Sequence, residues 1–262
     1  MQVYLEYLPS LVIGMARIYP CAILVPAFCF QHVRGLARHV IVMVMALMPA
    51  PGIHAALQGQ EHSAVMIAGL VLKETALGIL LGVLLAMPFW LFESVGALLD
   101  NQRGALTGGQ INPSLGPDAT PIGHMFKQLA IFLLMVTLGL GVLTQVIWDS
   151  YLIWPATAWL PLPAPDGFTV FLGLMGDTFT HMMLYAAPFI AVLLLLEFGV
   201  ALLSLYSPQL QVSSLAMPVK CLAGLAFLLL YMPLLQDLIV SRMSLLGDLK
   251  HALGLMFRSV EP

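Results

Sequence analysis

Residues 99–118, LDNQRGALTGGQINPSLGPD, form a polar stretch rich in Gly and Pro between two long apolar segments. The chain has 10 Lys and Arg and 13 Asp and Glu among its 262 residues, and three of these charges, Asp100, Arg103 and Asp118, lie in this stretch. Polar groups that are so scarce are expected where a turn or a function requires them. The apolar segments on both sides therefore predict membrane-type helices, and the stretch itself is predicted to be a functional loop.

The composition places the chain in the membrane class. Hydrophobic residues make up 60%, charged residues 9%, and the mean hydropathy is +0.97. Soluble domains are about 45–50% apolar and about 25% charged. The chain is long enough for about six helices of ~20 residues each. A net charge of −3 without any basic run indicates that nucleic acid is not a partner.

Catalytic and metal-binding patterns are missing from the sequence. The three cysteines (Cys21, Cys29 and Cys221) lie in apolar segments, which predicts packing residues and not a disulfide framework. The seven histidines show no HExxH spacing, and neither a CxxC, a GxSxG elbow nor a P-loop is present. We therefore expect no enzyme activity, no metal and no cofactor. The residues before the first apolar segment include no Lys or Arg, so we expect that segment to be retained and not cleaved as a signal peptide.

Six long apolar segments predict an all-α fold, because none shows the alternation of a strand. The third and fifth segments are too long for one straight span, and each contains an internal proline, Pro88 or Pro188. Each could be a tilted, kinked helix or a hairpin of two short helices. The six segments cover residues 8–30, 40–57, 64–99, 122–147, 168–205 and 219–240.

The last part of the chain, residues 241–258, is amphipathic, with leucines and a methionine at three- and four-residue steps. It is predicted to be either an interfacial helix or a helix that packs on a partner subunit. The Lys and Arg of the earlier loops place the N-terminus outside the cytoplasm, so six spans would leave the C-terminus outside as well. The last part of the chain nevertheless carries the positive charges Arg242, Lys250 and Arg258, which are typical of the cytoplasmic side. Either the number of spans is therefore odd, or the chain is not a simple bilayer bundle.

Charged residues inside apolar segments are the second indication of functionally or structurally important positions. Each costs about 2.5–3.5 kcal/mol at a bilayer centre unless a partner satisfies it. For Arg17 the alternatives are an internal ion pair with Glu197 or Glu74, contact with another subunit, or an ion site. Lys220 is a further candidate for such a buried or intersubunit charge. A GxxxG pattern at Gly78 predicts close approach of helices.

Several motifs are similar to one family over most of the chain. They are ARIYP at 16–20, VPAF at 25–28, GALLDNQRGA at 96–105, INP at 111–113 and YSPQLQVSSLAMPVK at 206–220. Together they resemble the T subunit of the type III secretion export gate, the SctT/SpaR/FliR-like family. The DNQRG form resembles the virulence-type, injectisome branch.

The resemblance implies an all-α, multi-helix integral membrane-type subunit, built of long kinked helices or hairpins, of a pseudo-helical gate complex in the bacterial inner membrane. Its partners would be the R and S subunits, with which it would form a gated channel, together with the U subunit, the large export-ring subunit, membrane lipid and unfolded protein substrates. The whole chain, 1–262, is expected to be a single domain. A multi-pass secondary transporter or channel acting alone is the alternative, since buried charges and broken segments also occur in transporters.

Two polar loops are the candidate site residues. The first would gate or line a constriction through Asp100, Asn101, Gln102, Arg103 and Gly104. Arg103 could pair with Asp100 across one turn or bind a carboxylate of another subunit. The alternative is a self-satisfied helix cap, with Asp100 or Asn101 as the capping residue. The second loop would act through Pro208, Gln209 and Gln211, of which Gln211 replaces the Asn that many members of the resembling family carry.

Overall fold

The computed structural model describes residues 2–29, 33, 35–58, 63–103, 120–159, 164–206 and 212–256, and within these it leaves out the side chains of 2–6 and 212–217. Across those ranges the regular structure is helical without any strand, which confirms the all-α prediction. The helices are α1 (Gln2–Leu24), α2 (Leu36–Ala46), α3 (Ala50–Leu57), α4 (Ala64–Gln102), α5 (Pro121–Thr137), α6 (Gly141–Ile153), α7 (Gly167–Tyr206), α8 (Val212–Ser244) and α9 (Leu249–Met256).

Within the described residues, four helical stretches are long and apolar enough to cross a membrane. Two pairs of shorter helices are each bent, α2 with α3 by 63° and α5 with α6 by 82°, and would raise the number to six if each pair is one span. The six predicted apolar segments therefore correspond to four long helices and two bent pairs. The four long stretches are Tyr7–Leu24, Ala64–Gln102, Gly167–Tyr206 and Pro218–Met256.

The hairpin alternative is wrong for the third and fifth segments. Helices α4 and α7 continue through Pro88 and Pro188 over 39 and 40 residues. A proline removes only one helical hydrogen bond, and apolar helices tolerate that loss. The breaks lie instead in the second segment, between α2 and α3 at Pro49, and in the fourth segment, where a continuous run was predicted. There Gly139 has φ +73°, a conformation that ends the helical hydrogen-bond pattern.

The chain folds into two compact units, and each unit is assembled from separated parts of the sequence. The first contains residues 1–87, 138–174 and 244–262, and the second contains 88–137 and 175–243. Helices α4 and α7 contribute to both units. The single-domain expectation stays a prediction.

The first unit has a core in which α1 meets α2, α3 and the first half of α4. Ile13, Ile53 and Leu70 are buried together in this core. A side chain at Gly78 would overlap the carbonyl of Arg17, so α4 and α1 approach backbone to backbone as the GxxxG pattern predicts. The three cysteines are free thiols, as expected.

The amphipathic tail belongs to the first unit. Leu246, Leu249, Leu253 and Met256 are buried there, and Lys250 pairs with Asp149 of α6 at 3.0 Å. Its helical character is therefore confirmed over the described residues, as a 3-10 turn (Leu245–Asp248) followed by α9, but its apolar side packs on its own chain. The prediction that this side faces lipid or a partner subunit is wrong, because α6 supplies the complementary surface.

The second unit combines the end of α4 with α5, α7 and α8. Gly96 of α4 faces Gly123 of α5 so closely that a Cβ atom at Gly96 would lie 2.7 Å from the Gly123 backbone. Phe189 of α7 packs edge-on against Phe227 and Tyr231 of α8, with ring centroids 5.2 and 4.6 Å away. These contacts hold the helices that carry the candidate site.

Candidate functional site

Asp100 joins the end of α4 to the start of α5. Its carboxylate is fully buried, accepts a hydrogen bond from Arg103, and accepts another from the backbone N–H of Ile122 at 2.7 Å. The first N–H groups of a helix lack intrahelical acceptors, and the helix dipole there favours an anion. Asp100 therefore caps the following helix and not its own.

Arg103 is the first residue after α4 and is 9% exposed. Its cationic group lies near the C-terminal end of α4, where the helix dipole favours a positive charge. The side chain runs past Gly224 of α8, where a Cβ atom would come within 2.9 Å of Arg103 Cδ. Arg103 therefore pairs with Asp100 across one turn, and the absence of a side chain at residue 224 makes room for it.

Two further contacts hold α4 and α5 together on the same side as Asp100. Lys127 donates to Glu93 at 2.5 Å, and the Gly96–Gly123 contact lies between this pair and Asp100. From Glu93 through Gly96 to Asp100 the partners in α5 step back from Lys127 through Gly123 to Ile122, so the two helices run antiparallel. These contacts therefore fix the end of α4 against the start of α5 on both sides of residues 104–119.

The predicted first loop begins later than expected. Asp100, Asn101 and Gln102 are helical, and the side chain of Asn101 is exposed while that of Gln102 is half-buried. Four predicted site residues lie outside the described residues, and so does the INP motif at 111–113. The four are Gly104, Pro208, Gln209 and Gln211.

Arg17 is fully buried and forms an internal ion pair with Glu74. Its Nε donates to Glu74 Oε2 at 2.6 Å, and Nη2 donates to Oε1 at 3.0 Å, which is the two-point geometry that a guanidinium favours. Its other bonds reach the Ser150 hydroxyl at 3.0 Å and the Trp154 carbonyl at 2.8 Å. The guanidinium carbon also lies 4.0 Å from the ring centre of Tyr151.

Lys73 extends this cluster towards the end of α6. It lies 2.8 Å from Glu74 Oε1 and donates to the carbonyls of Pro155, Ala156 and Ala158 at 3.3, 2.9 and 2.7 Å. These three carbonyls lie in the turn that follows α6, and the ammonium group, which has three donor hydrogens, can bond all of them. The cluster thus joins α1, α4 and α6 of the first unit.

Glu197 is not the partner of Arg17. It pairs with Lys220 of α8 at 2.9 Å, with the Glu197 side chain 56% exposed and that of Lys220 15% exposed. Of the two partners considered for Arg17, Glu74 is the one observed. Of the four predicted charges, Arg17 and Glu74 form a fully buried ion pair, and Lys220 and Glu197 form an ion pair whose glutamate is exposed.

Sequence reasoning missed the neutral members of both sites. Ser150, Tyr151 and the Trp154 carbonyl complete the Arg17 cluster, and Gly224 makes room for Arg103. Serine, tyrosine and glycine are ordinary in membrane helices, so their types gave no signal. Among the members of the Arg17 cluster, the charged residues Arg17 and Glu74 were the ones that the sequence marked, as charges inside apolar segments.

Fold and sites together define a helical membrane-type protein whose buried charges are paired within the chain and whose central polar segment starts from a capped helix pair. The chain belongs to the family of bacterial export proteins, family 1, whose model matches residues 8–246.

Three relatives show where the chain stands in this family. It is 31% identical over 218 residues to the Yop proteins translocation protein T of Yersinia pestis, covering 83% of each chain. It is 31% identical over 230 residues to the surface presentation of antigens protein SpaR of Salmonella typhimurium, covering 87% of this chain and 85% of the relative. The flagellar biosynthetic protein FliR of Caulobacter vibrioides is 23% identical over 224 residues, with 86% and 88% covered.

Proposed function

We propose that this protein is the T subunit of a type III secretion export gate of the injectisome branch. It forms a gated channel for protein secretion in the bacterial inner membrane together with the R and S subunits. The observation that carries the proposal is the 31% identity to translocation protein T across 83% of both chains. The lower identity to the flagellar relative, 23%, favours a secretion system of the virulence type.

The proposed partners are the R and S subunits, the U subunit and the large export-ring subunit, and the substrates are unfolded proteins in transit. The structure supports a partner-dependent role through its apolar surface. Many large apolar side chains outside the two cores are exposed, among them Leu36, Phe132 and Leu205 at 79%, 61% and 76%. Large exposed apolar side chains in such number are typical of protein or membrane contacts.

Purification of the tagged full-length chain from its own host tests the proposal. We expect the R and S subunits to co-purify from detergent-solubilised inner membranes, and deletion of the chain to abolish protein secretion. A chain that purifies without these subunits, in a host whose secretion survives the deletion, would contradict the assignment.

For the central loop, we propose that the group Asp100, Asn101, Gln102, Arg103 and Gly104 lies at the constriction of the assembled gate. Arg103 Nε and Thr120 Oγ1 stand on either side of residues 104–119, and both are buried without a hydrogen-bond partner among the described residues. An acceptor or donor from outside these residues would satisfy them at low cost, whereas an unsatisfied buried group costs about 1–3 kcal/mol. The exposed Asn101 side chain is placed to reach a neighbouring loop.

The Arg103→Ala variant tests this role. We expect the complex to assemble, with a small-ion leak above wild type or loss of secretion, because Asp100 would keep its bond to Ile122 but lose its cation. Arg242→Ala is the matched control, since Arg242 pairs with Asp177 at 2.7 Å elsewhere in the same unit. Membrane conductance and secretion both at wild-type levels in Arg103→Ala would refute a role at the constriction.

A further inference from the structure

Asp237 of α8 is an exposed carboxylate within an otherwise apolar sequence, LLLYMPLLQDLIV at 228–240. Helix α8 belongs to a candidate membrane-spanning stretch, Pro218–Met256. An ionised side chain in such a helix is costly unless a partner satisfies it, and for that reason it usually marks a functional contact. The question is therefore which group satisfies Asp237.

The described part of the chain offers no cation to Asp237. Every described Lys side chain, and every described Arg side chain except Arg38, pairs with another carboxylate. Arg38 bonds the Val33 carbonyl. Asp166 and Asp248 also lack a cation in these ranges, but neither lies inside a long helix. Among the described side chains, Asp237 is therefore the one carboxylate of a long helix that has no counter-charge.

Asp237 also lies opposite the side of α8 that packs within the second unit. Leu228, Leu235 and Ile239 are buried on that side. Successive residues of an α-helix are turned by about 100°, so Leu235 and Ile239 lie about 160° from Asp237 around the helix and Leu228 lies about 180° from it. A counter-charge for Asp237 consequently has to come from outside the described part of the second unit.

A second unsatisfied acceptor lies one turn before Asp237. Pro233 is inside α8 and exposed. Because proline has no N–H, the Leu229 carbonyl lacks the donor that the residue four positions later normally supplies. Pro233 lies about 40° from Asp237 around the helix, so the carboxylate and the place of the missing donor are on the same side of α8.

The surface around these two acceptors is suited to another helix. Leu230 and Leu234 are 80% and 52% exposed. Ala226 is small and exposed, and small residues let two helix backbones approach closely. We call this surface the Asp237 face; its exposed residues are Ala226, Leu230, Pro233, Leu234, Asp237 and Ser241.

The two acceptors define the chemistry of what covers this face. Acyl chains have no hydrogen-bond donor, whereas the ammonium group of Lys has three N–H groups and the guanidinium of Arg has five, each with a positive charge. We propose that the Asp237 face docks an apolar helix of the R or S subunit, and that this helix places a Lys or Arg side chain on the Asp237 carboxylate.

The inference rests on the proposed function, because it takes the cationic helix from a subunit of the same gate. It adds which face of the chain that subunit contacts and which charge the subunit carries there.

Photo-crosslinking in the assembled complex tests what covers the Asp237 face. The photoreactive residue p-benzoylphenylalanine replaces Leu230, which lies on this face and leaves the carboxylate unchanged. Irradiation of intact cells should attach the chain to its R or S subunit, with unirradiated cells as the control. Absence of any protein adduct would show lipid or water on this face, and an adduct only with a second copy of the chain would show self-association. Either result overturns the inference.

Neutralisation of Asp237 tests the counter-charge. We expect Asp237→Asn to lower recovery of the crosslinked subunit with the tagged chain at least about tenfold, because the cation of that subunit would be buried without its carboxylate. Asp237→Glu keeps the charge and should retain recovery. Asp248→Asn is the matched control, since Asp248 is also exposed and lacks a described cation but lies in the 3-10 turn outside the Asp237 face.

The yield of the Asp237→Asn chain itself separates lost binding from lost folding, and it should stay at the wild-type level because Asp237 is exposed. Full recovery of the subunit with Asp237→Asn, or an equal loss with Asp248→Asn, would overturn the inference. Co-purification of the R and S subunits with the wild-type chain reports on the proposed function independently, so failure of one proposal is distinguishable from failure of the other.

Discussion

Arg17 illustrates how this chain accommodates a charge in an apolar helix. Four hydrogen bonds from its guanidinium go to Glu74, Ser150 and the Trp154 carbonyl, while the ring of Tyr151 covers one face. Burial of an unpaired charge would be very costly, and good geometry with additional hydrogen bonds offsets that cost. The ion pair is therefore a fixed structural joint, and an ion-transport role for Arg17 has no support in this geometry.

Removal of one partner of this joint should be far more damaging than removal of one partner of the exposed pair. We expect Glu74→Ala to lower stability by about 3–5 kcal/mol, because it leaves Arg17 buried without its carboxylate. Glu197→Ala should cost about 0–1 kcal/mol, because Glu197 is more than half exposed.

Denaturant unfolding of the purified complex, with each variant measured beside wild type, gives the comparison. Equal losses for the two variants would show that burial does not distinguish the two pairs.

At the scale of the helices, glycine decides where two backbones touch. Gly78 allows α4 to approach the Arg17 carbonyl of α1, and a Cβ atom at Gly82 would lie 3.1 Å from Cys21 Cα. The thiol of Cys21 donates to the Gly78 carbonyl at 3.0 Å in the same contact. The close approach places Arg17 within reach of Glu74, one turn before Gly78.

Alanine at a packed glycine and at an exposed glycine should distinguish the effect of helix packing on stability from the effect of helix propensity. Gly78→Ala should destabilise the protein by about 1–3 kcal/mol, because the new methyl group overlaps the α1 backbone. Gly173→Ala in α7 of the same unit has open space around it and should stabilise by up to about 1 kcal/mol through helix propensity.

Thermal unfolding of the two variants in the same detergent provides the measurement. A stabilised Gly78→Ala variant would mean that α1 and α4 do not pack as closely as described.

For the whole molecule, the long helices differ in how far their own chain covers them. In the most apolar part of α4, 61% of the residues are buried, whereas in that of α7 only 17% are. Helix α4 is therefore a core helix of the chain, and α7 depends on other surroundings. The proposed R and S subunits and the membrane would together supply those surroundings.

A further prediction concerns the chain when it is purified and reconstituted alone. When reconstituted without R and S subunits, the chain should be unstable or inert, because much of its apolar surface would lack a partner. Stable protein that catalyses solute flux in liposomes would instead favour the stand-alone transporter. Light scattering of the liposomes and a flux assay, with empty liposomes as the control, make the distinction.

The sequence alone determined the class, the helices and the family. Composition and segment length suffice for these, because a chain with 9% charged residues has few ways to satisfy its backbone other than apolar helices. The buried charge at Arg17 also predicted its pairing with Glu74 as one of two candidates, whereas a constriction role for the loop at Asp100 stays a prediction. The amphipathic period of the tail predicted its helix but could not show which surface that helix would meet.

Only the tertiary structure decided the partners. Arg17 had two candidate carboxylates, and its selection of Glu74 depends on α1 crossing α4 at glycine. Asp100 had a choice between its own helix and the next, and it caps the next because α5 returns antiparallel. Pairing between residues far apart in sequence follows from how helices pack, and local residue patterns do not encode that geometry.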